Sequence, residues 1–310
     1  MVEKILQTSK YVSDNSSYVS IDKEKIKELI IANNFKTIKH WLASNPCCIL
    51  DLKVDEIINF LIIFDSIDCS FWGHPKWTIE TEVGQLDGAF ALMYSLLKLR
   101  NEHGDLNFEK ITYEEFSKAL QGNVEIPLLK ERYHIVKQVS KIINDRMEGN
   151  FYEYIKDIVN DEKLFEIIIN NFPSFTDTRN YQDKEIYFYK LAQLLVSDIL
   201  HIRELKESIT VDYSHLVGCS DYKIPQVLRN LGVLVYNAEL SDLVDNGIML
   251  DENSTYEVEI RANMIIALYE IKQALNDDIS LININDIIWL LGQNKANNSK
   301  PYHLTRTLSY

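Results

Sequence analysis

The chain has 310 residues, 46% apolar and 25% charged, enough to bury a large core as an ordinary globular protein. Its 46 acidic side chains outnumber the 32 basic ones, and the net charge of −14 argues against a protein that grips duplex nucleic acid through its phosphates. A small or mononucleotide ligand suits that balance better, and no apolar run approaches the length of a membrane span.

With only 6 Pro and 10 Gly, long regular elements are expected. The opening "MVEKILQTSKYVSDNSSYVS" (1–20) lacks the apolar core of a secretory signal. Helical periodicity follows, predicting helices at 22–33, 35–43, 54–66, 88–101, 113–119, 127–146, 151–158, 162–170, 185–207, 224–231, 238–246, 257–275 and 283–291. Breaks such as Asn45-Pro46, Gly104, Gly149 and Gly218 punctuate them. One stretch differs. "WTIETEV" (77–83) alternates bulky and polar residues and, with "LDGAF" (86–90), predicts one small β-hairpin. The fold class is therefore mainly α, a multi-helical unit over 1–310. Two packed helical lobes are compatible with the pattern, and residues 1–20 read as peripheral. Cys47, Cys48, Cys69 and Cys219 form no CxxC and no ligand spacing with His. Reduced thiols in a cytoplasmic protein, with no metal, are expected.

Chemistry-bearing residues are scattered. In the predicted helix 185–207, Asp198 lies on the apolar stripe of Leu191, Leu194, Leu195 and Ile202, where a carboxylate needs a partner. Lys190, Gln193, Ser197 and His201 run up the adjacent face. Two readings stay open: an internal polar network, or a cavity lined by Lys190 and Asp198. "SIDCSFWGHPKW" (66–77) gathers Asp68, Phe71, Trp72, His74 and Trp77, either as core or as a surface for stacking a base. "KERYH" (130–134) reads as a solvated helix face, and Glu257 with Arg261 as a structural i,i+4 ion pair. In "NINDIIWLLGQ" (283–293), Asn285 and Asp286 open an apolar helix, where capping is the default role. The tail "KPYHLTRTLSY" (300–310) is expected to dock. In "GCSDYKIPQVLRNLG" (218–232), Ile224, Val227, Leu228 and Leu231 form a helical stripe and Pro225 suits the first turn. Ile224 is then the cap, and Asp221 stands in the loop before it.

Eight segments taken in order are similar to one family, the queuosine salvage proteins, or queuosine 5′-phosphate N-glycosylases. They are "IDCSFW" (67–72), "DGAFAL" (87–92), "IPLLKERYHI" (126–135), "FPSFTD" (172–177), "FYKLAQLLVSD" (188–198), "SDYKIPQVLRNLG" (220–232), "YEVEIRA" (256–262) and "PYHLTR" (301–306). The resemblance implies an α-helical fold similar to the helix-hairpin-helix DNA glycosylases. It also implies a hydrolase, without cofactor, that releases queuine from queuosine 5′-monophosphate for salvage into tRNA. Asp221 matches the family's catalytic carboxylate, which stabilises or attacks the oxocarbenium-like centre at C1′.

Asn285 and Asp286 are candidates for the cationic amine and diol of queuine, and Lys190 and Lys223 for the 5′-phosphate. Asp68 and Asp198 complete the candidate substrate-binding set. Three positions depart from the family's pattern. Cys219 stands where a stacking phenylalanine is usual, so Trp72 is the candidate replacement. Leu290 stands where a second acid is usual, and His40 lies only near the place of a family histidine. These departures leave open a different deazaguanine or purine nucleotide as substrate, or a catalytically silent nucleotide-binding protein.

Overall fold

The computed structural model describes every residue except 1, 36–38, 45, 48, 277–278 and 294–298. Among the described residues there are thirteen α-helices. The first seven are α1 (Val2–Asn15), α2 (Lys23–Ala32), α3 (Val54–Asp65), α4 (Gly88–His103), α5 (Tyr113–Ala119), α6 (Leu129–Arg146) and α7 (Phe151–Ile155). Then come α8 (Asp161–Asn171), α9 (Lys190–Glu207), α10 (Lys223–Asn230), α11 (Ala238–Asp245), α12 (Thr255–Leu275) and α13 (Leu281–Leu291). Side-chain caps set several starts: Asp22 accepts from the Glu24 and Lys25 amides, Thr112 and Glu115 form a capping box, and Ser254 accepts from Glu257.

Two helices carry the architecture. α9 is buried almost from end to end and packs on α3 and α8, while α12, equally buried, packs on α1, α2, α10 and α13. Both bury charged side chains beside the apolar ones, Lys190, Asp198 and Arg203 in α9 and Glu257, Glu259 and Arg261 in α12, so these charges need partners within the core. Each fully buried Leu, Ile or Val contributes about 1.5–3 kcal/mol. α1 lies along α12 with Ile5, Ser9 and Val12 buried.

The expected hairpin is present as β2 (Thr78–Thr81) paired with β3 (Gly84–Asp87). It is not the only pairing. β4 (Thr178–Tyr181) and β5 (Lys184–Tyr187) form a second antiparallel hairpin, and β1 (Val19–Ile21) pairs with β6 (Leu234–Tyr236) across the chain. The helix expected from 185 therefore starts only at Lys190. The β4–β5 turn has no glycine to betray it, because Gln182 itself takes the left-handed conformation, φ 53°. β1 and β6 are three residues each, too short to show alternation.

Three local expectations are corrected. α10 begins at Lys223 rather than Pro225, which sits inside the first turn, where a missing N–H is equally harmless. Asn285 and Asp286 are not caps: Ser280 caps α13, and both lie buried in its middle. "KERYH" is not a solvated face, since Arg132 is fully buried. Its guanidinium donates to the carbonyls of Pro127, Ile67, Cys69 and Ser70, bracing the segment that follows α3. The helix expected at 35–43 and the Asn45-Pro46 break fall partly outside the described residues. Within them, Trp41–Ser44 forms a 3-10 turn.

Candidate active site

The segment 217–222 runs between α9 and α12 and is held at every step. Gln193 of α9 accepts from the amides of Val217 (2.7 Å) and Gly218 (3.2 Å) through its side-chain carbonyl. Gly218 has φ +116°, and a Cβ there would stand 2.7 Å from Leu268 Cδ1, so only glycine fits. Asn285 accepts from the Cys219 amide at 2.9 Å. Arg261 Nε donates to the Ser220 carbonyl, and Ser220 Oγ returns a bond to the Arg261 carbonyl, both at 2.9 Å. Asp221 then caps α10: its Oδ1 accepts from the amides of Lys223 (2.8 Å) and Ile224 (2.9 Å). Its Oδ2 makes no hydrogen bond among the described residues. One oxygen of Asp221 thus fixes the side chain at the start of α10.

Lys190, the first residue of α9, lies beside it. Its Nζ donates to the Asp68 backbone carbonyl (2.8 Å) and to Asp68 Oδ2 (3.0 Å), while its amide donates to Asp177 Oδ2 (3.1 Å). Burial pulls the Lys190 pKa down, but the nearby carboxylates, Asp68 first and Asp221 next, outweigh it and hold the ammonium charged. Burial pushes the Asp221 carboxyl above the usual range, opposed by Lys190 and the two amides.

Two adjoining cavities meet at this point. The outer cleft, about 830 Å³, carries Lys76, Lys223, Tyr302 and Tyr310 on its walls, with the start of α4 at one edge. The inner chamber, about 410 Å³, is walled by Trp41, Leu194, Cys219, Ile224, Asn285 and Asp286. Asp68, Ala89, Lys190, Asp221 and Trp289 border both. Trp41, Phe90 and Trp289 stand about 6 Å apart, centroid to centroid, around the junction. At the far side of the inner chamber, burial lifts the Asp286 carboxyl to about 7, against hydrogen bonds from the Asn285 side chain and the Trp41 backbone.

Of the residues singled out in the sequence, the structure brings together Asp221, Lys190, Asp68, Cys219, Asn285, Asp286 and Lys223. It sets His40 and Asp198 one layer back. Trp41 Nε1 donates to Asp198 Oδ1 at 2.8 Å, and the His40 ring lies between Ser197 (3.3 Å) and Asp198 (3.4 Å), stacked on His201. Trp72 and Leu290 are half-buried and border neither cavity. The aromatic walls come instead from Trp41 and Trp289, neither of them a candidate from the sequence. Trp41 carried no signal beyond its type. Tyr222 and Tyr302 were equally unmarked, and their rings meet 4.9 Å apart beside the outer cleft. Among the described residues no three His, Cys, Asp or Glu side chains are placed to hold a metal.

A family model described as "Queuosine salvage protein" matches residues 50–310. The chain belongs to that family. Among its relatives, the queuosine 5′-phosphate N-glycosylase/hydrolase of Sphaerobacter thermophilus is 30% identical over 99% of this chain and 97% of its own length. Proteins of the same name from Bos taurus and Mus musculus are 27% and 26% identical, each over 98% of both chains. In this queuosine salvage family member, two cavities share one carboxylate-lysine-carboxylate border.

Proposed function

We propose that the protein is an N-glycosylase, one cytoplasmic unit, that hydrolyses queuosine 5′-monophosphate to queuine and ribose 5-phosphate. The observation that carries this reading is the border itself: Asp221 stands where a chamber walled by Trp41 and Trp289 opens into a wider cleft that carries Lys76 and Lys223 as well as Asp87. A nucleotide laid across it puts its base inside, its phosphate outside and its glycosidic bond beside Asp221 Oδ2.

The chemistry follows from that placement. As the C1′–N bond lengthens, positive charge builds on the ribose. A carboxylate already desolvated and held by two amides meets that charge without reorganising, which is worth about 3–4 kcal/mol, a few hundredfold in rate. Lys190 is committed to Asp68, so the phosphate falls to Lys76 and Lys223, beside the N-terminus of α4. Lys76 also pairs with Asp87 (2.8 Å) and Lys223 with Gln226 (3.1 Å), contacts a phosphate would share. Asn285 and Asp286 face the base end, where the amine of queuine offers Asp286 a cationic partner that favours its ionised form. A mononucleotide substrate also agrees with the net charge of −14, which does not suit duplex nucleic acid.

The test is base release from queuosine 5′-monophosphate, followed by chromatography, for the wild type and Asp221→Asn. Release by the wild type, lowered a hundredfold or more in a folded variant, is expected. A wild type that releases no base from this nucleotide would overturn the reading.

A further inference from the structure

Hydrolysis requires a second event at C1′ that Asp221 alone does not provide: a water must be aimed at the carbon and must lose a proton as the new bond forms. Glycoside hydrolysis generally divides these tasks between two carboxyl groups. The border between the two cavities holds a second carboxylate. Asp68 is 7% exposed, and while its Oδ2 is taken by Lys190 at 3.0 Å, its Oδ1 is buried without a hydrogen-bond partner among the described residues. A bare buried carboxylate oxygen costs free energy in the empty protein, so it marks a place where a ligand or a water is expected.

We propose that Asp68 is the second catalytic carboxylate of the reaction, its Oδ1 orienting the attacking water at C1′ and accepting the water's proton. The inference rests on the glycosylase reading above. In the step, the C1′–N bond breaks with its electron pair going to the base, and the water oxygen forms the C1′–O bond. One water proton passes to Asp68 Oδ1. The base takes up one proton from solvent and Asp68 later returns its own, so the sum is nucleotide plus water to base plus ribose 5-phosphate.

Three observations favour Asp68 over the other acids. Asp87 is at the exposed mouth and paired with Lys76. Asp286 belongs to the base end, and Asp65 and Asp198 border neither cavity. Asp68 is also held unusually firmly. Arg132 binds the carbonyls on both sides of it, Lys190 binds its own carbonyl, and Ser70 two residues on donates through its amide to the Tyr310 carbonyl at 2.9 Å. Catalytic geometry needs that rigidity. Lys190 has a part here as a positioning residue: its ammonium holds Asp68 Oδ2 at 3.0 Å on the cavity border that Asp221 shares.

Steady-state kinetics of Asp68→Asn and Asp68→Ala on queuosine 5′-monophosphate test the proposal, with each variant's fold checked by thermal melting. Both are expected to lose kcat by about a hundredfold or more with KM within about threefold. Added formate should restore part of the rate to Asp68→Ala, whose vacated space admits a small carboxylate, and none to Asp68→Asn. An unchanged kcat would overturn the proposal. So would a raised KM at unchanged kcat, which would make Asp68 a ligand of the ribose hydroxyls, or a lowered kcat that no formate concentration restores. If either variant fails to fold, Asp68→Glu keeps a carboxylate for Lys190 and decides: a lowered kcat at preserved KM supports the role, and an unchanged kcat rejects it. A wild type without base release would overturn the function itself, and this inference with it, whereas an active wild type with active variants would overturn this inference alone.

Discussion

Two buried polar clusters lie on either side of the Asp221 segment, and they are built on opposite principles. In the first, Asp177, Arg179, Glu257 and Arg261 satisfy one another. Arg261 reaches both oxygens of Asp177 (3.0 and 2.6 Å) and Glu257 (3.2 Å), and Arg179 reaches Glu257, Glu252 and Asp177. The Arg261 plane lies between the rings of Phe188 and Tyr310. In the second, both oxygens of Asp65, Oδ2 of Asp198 and Oδ1 of Asp68 are buried with no hydrogen-bond partner among the described residues. Burial first, and then neighbouring carboxyls, push Asp65 well above the usual range. Asp198 is raised likewise by burial, despite its bond from Trp41. A cluster with every charge answered is a frame, fixing the start of α9 and the segment before Asp221. The second cluster is left unanswered, and of its three acids Asp68 alone borders the cavities.

That contrast can be broken by removing charge from each cluster. The largest effect should come from Arg261→Met, which leaves Asp177 and Glu257 without their guanidinium. Denaturant unfolding should show a loss of about 3–5 kcal/mol. For the raised carboxyls near the cavities the effect should instead be stabilising and grow with pH. Asp286, with a folded pKa of about 7 against 3.8 for an ordinary aspartate, favours the folded state fully below pH 4. That contribution is lost as the pH rises through 7, because the unfolded chain ionises first. Asp286→Asn does not titrate, so its melting temperature should exceed that of the wild type at pH 8 and match it near pH 4. The difference should be on the order of a few kcal/mol. Asp65→Asn should move in the same direction, since its folded pKa is also raised. If either variant were less stable than the wild type at pH 8, the acids would have to be charged and paired in the fold. The smallest effect should be that of Asp221→Asn on stability. Asparagine caps a helix about as well as aspartate, so the loss should stay within roughly 0.5 kcal/mol, against about 1 kcal/mol for Asp221→Ala. Such a pair of melting curves separates the capping oxygen from the one left for the ligand.

Local signals carried much of the helical framework. The predicted 113–119 is α5 to the residue, and 54–66 and 238–246 overrun α3 and α11 by one. The 77–90 hairpin was readable because its strands alternate over a short turn. The second hairpin was not, because Ile186 and Phe188 extend into the periodicity of α9 and the turn uses no glycine. The ion pair of Glu257 and Arg261 was legible from its i,i+4 spacing, but its extension to Asp177 and Arg179 was not. Arg132 looked solvated for the same reason: three of its four carbonyl partners lie more than sixty residues away, and a sequence shows a charged side chain without showing what waits for it.

The sequence by itself determined where most helices run, that the chain is acidic and mainly α, and, through eight ordered segments, the family to which it belongs. Those are properties of neighbouring residues or of order along one dimension. Only the tertiary structure decided that Trp41, Asp68, Lys190, Asp221 and Asp286 share one pair of cavities, that Trp72 and Leu290 do not, and which oxygen of each carboxylate is left bare. Burial, pairing and the shifted acidity of Asp286 arise from groups far apart in the chain that exclude water together, and solvent exclusion has no local signature.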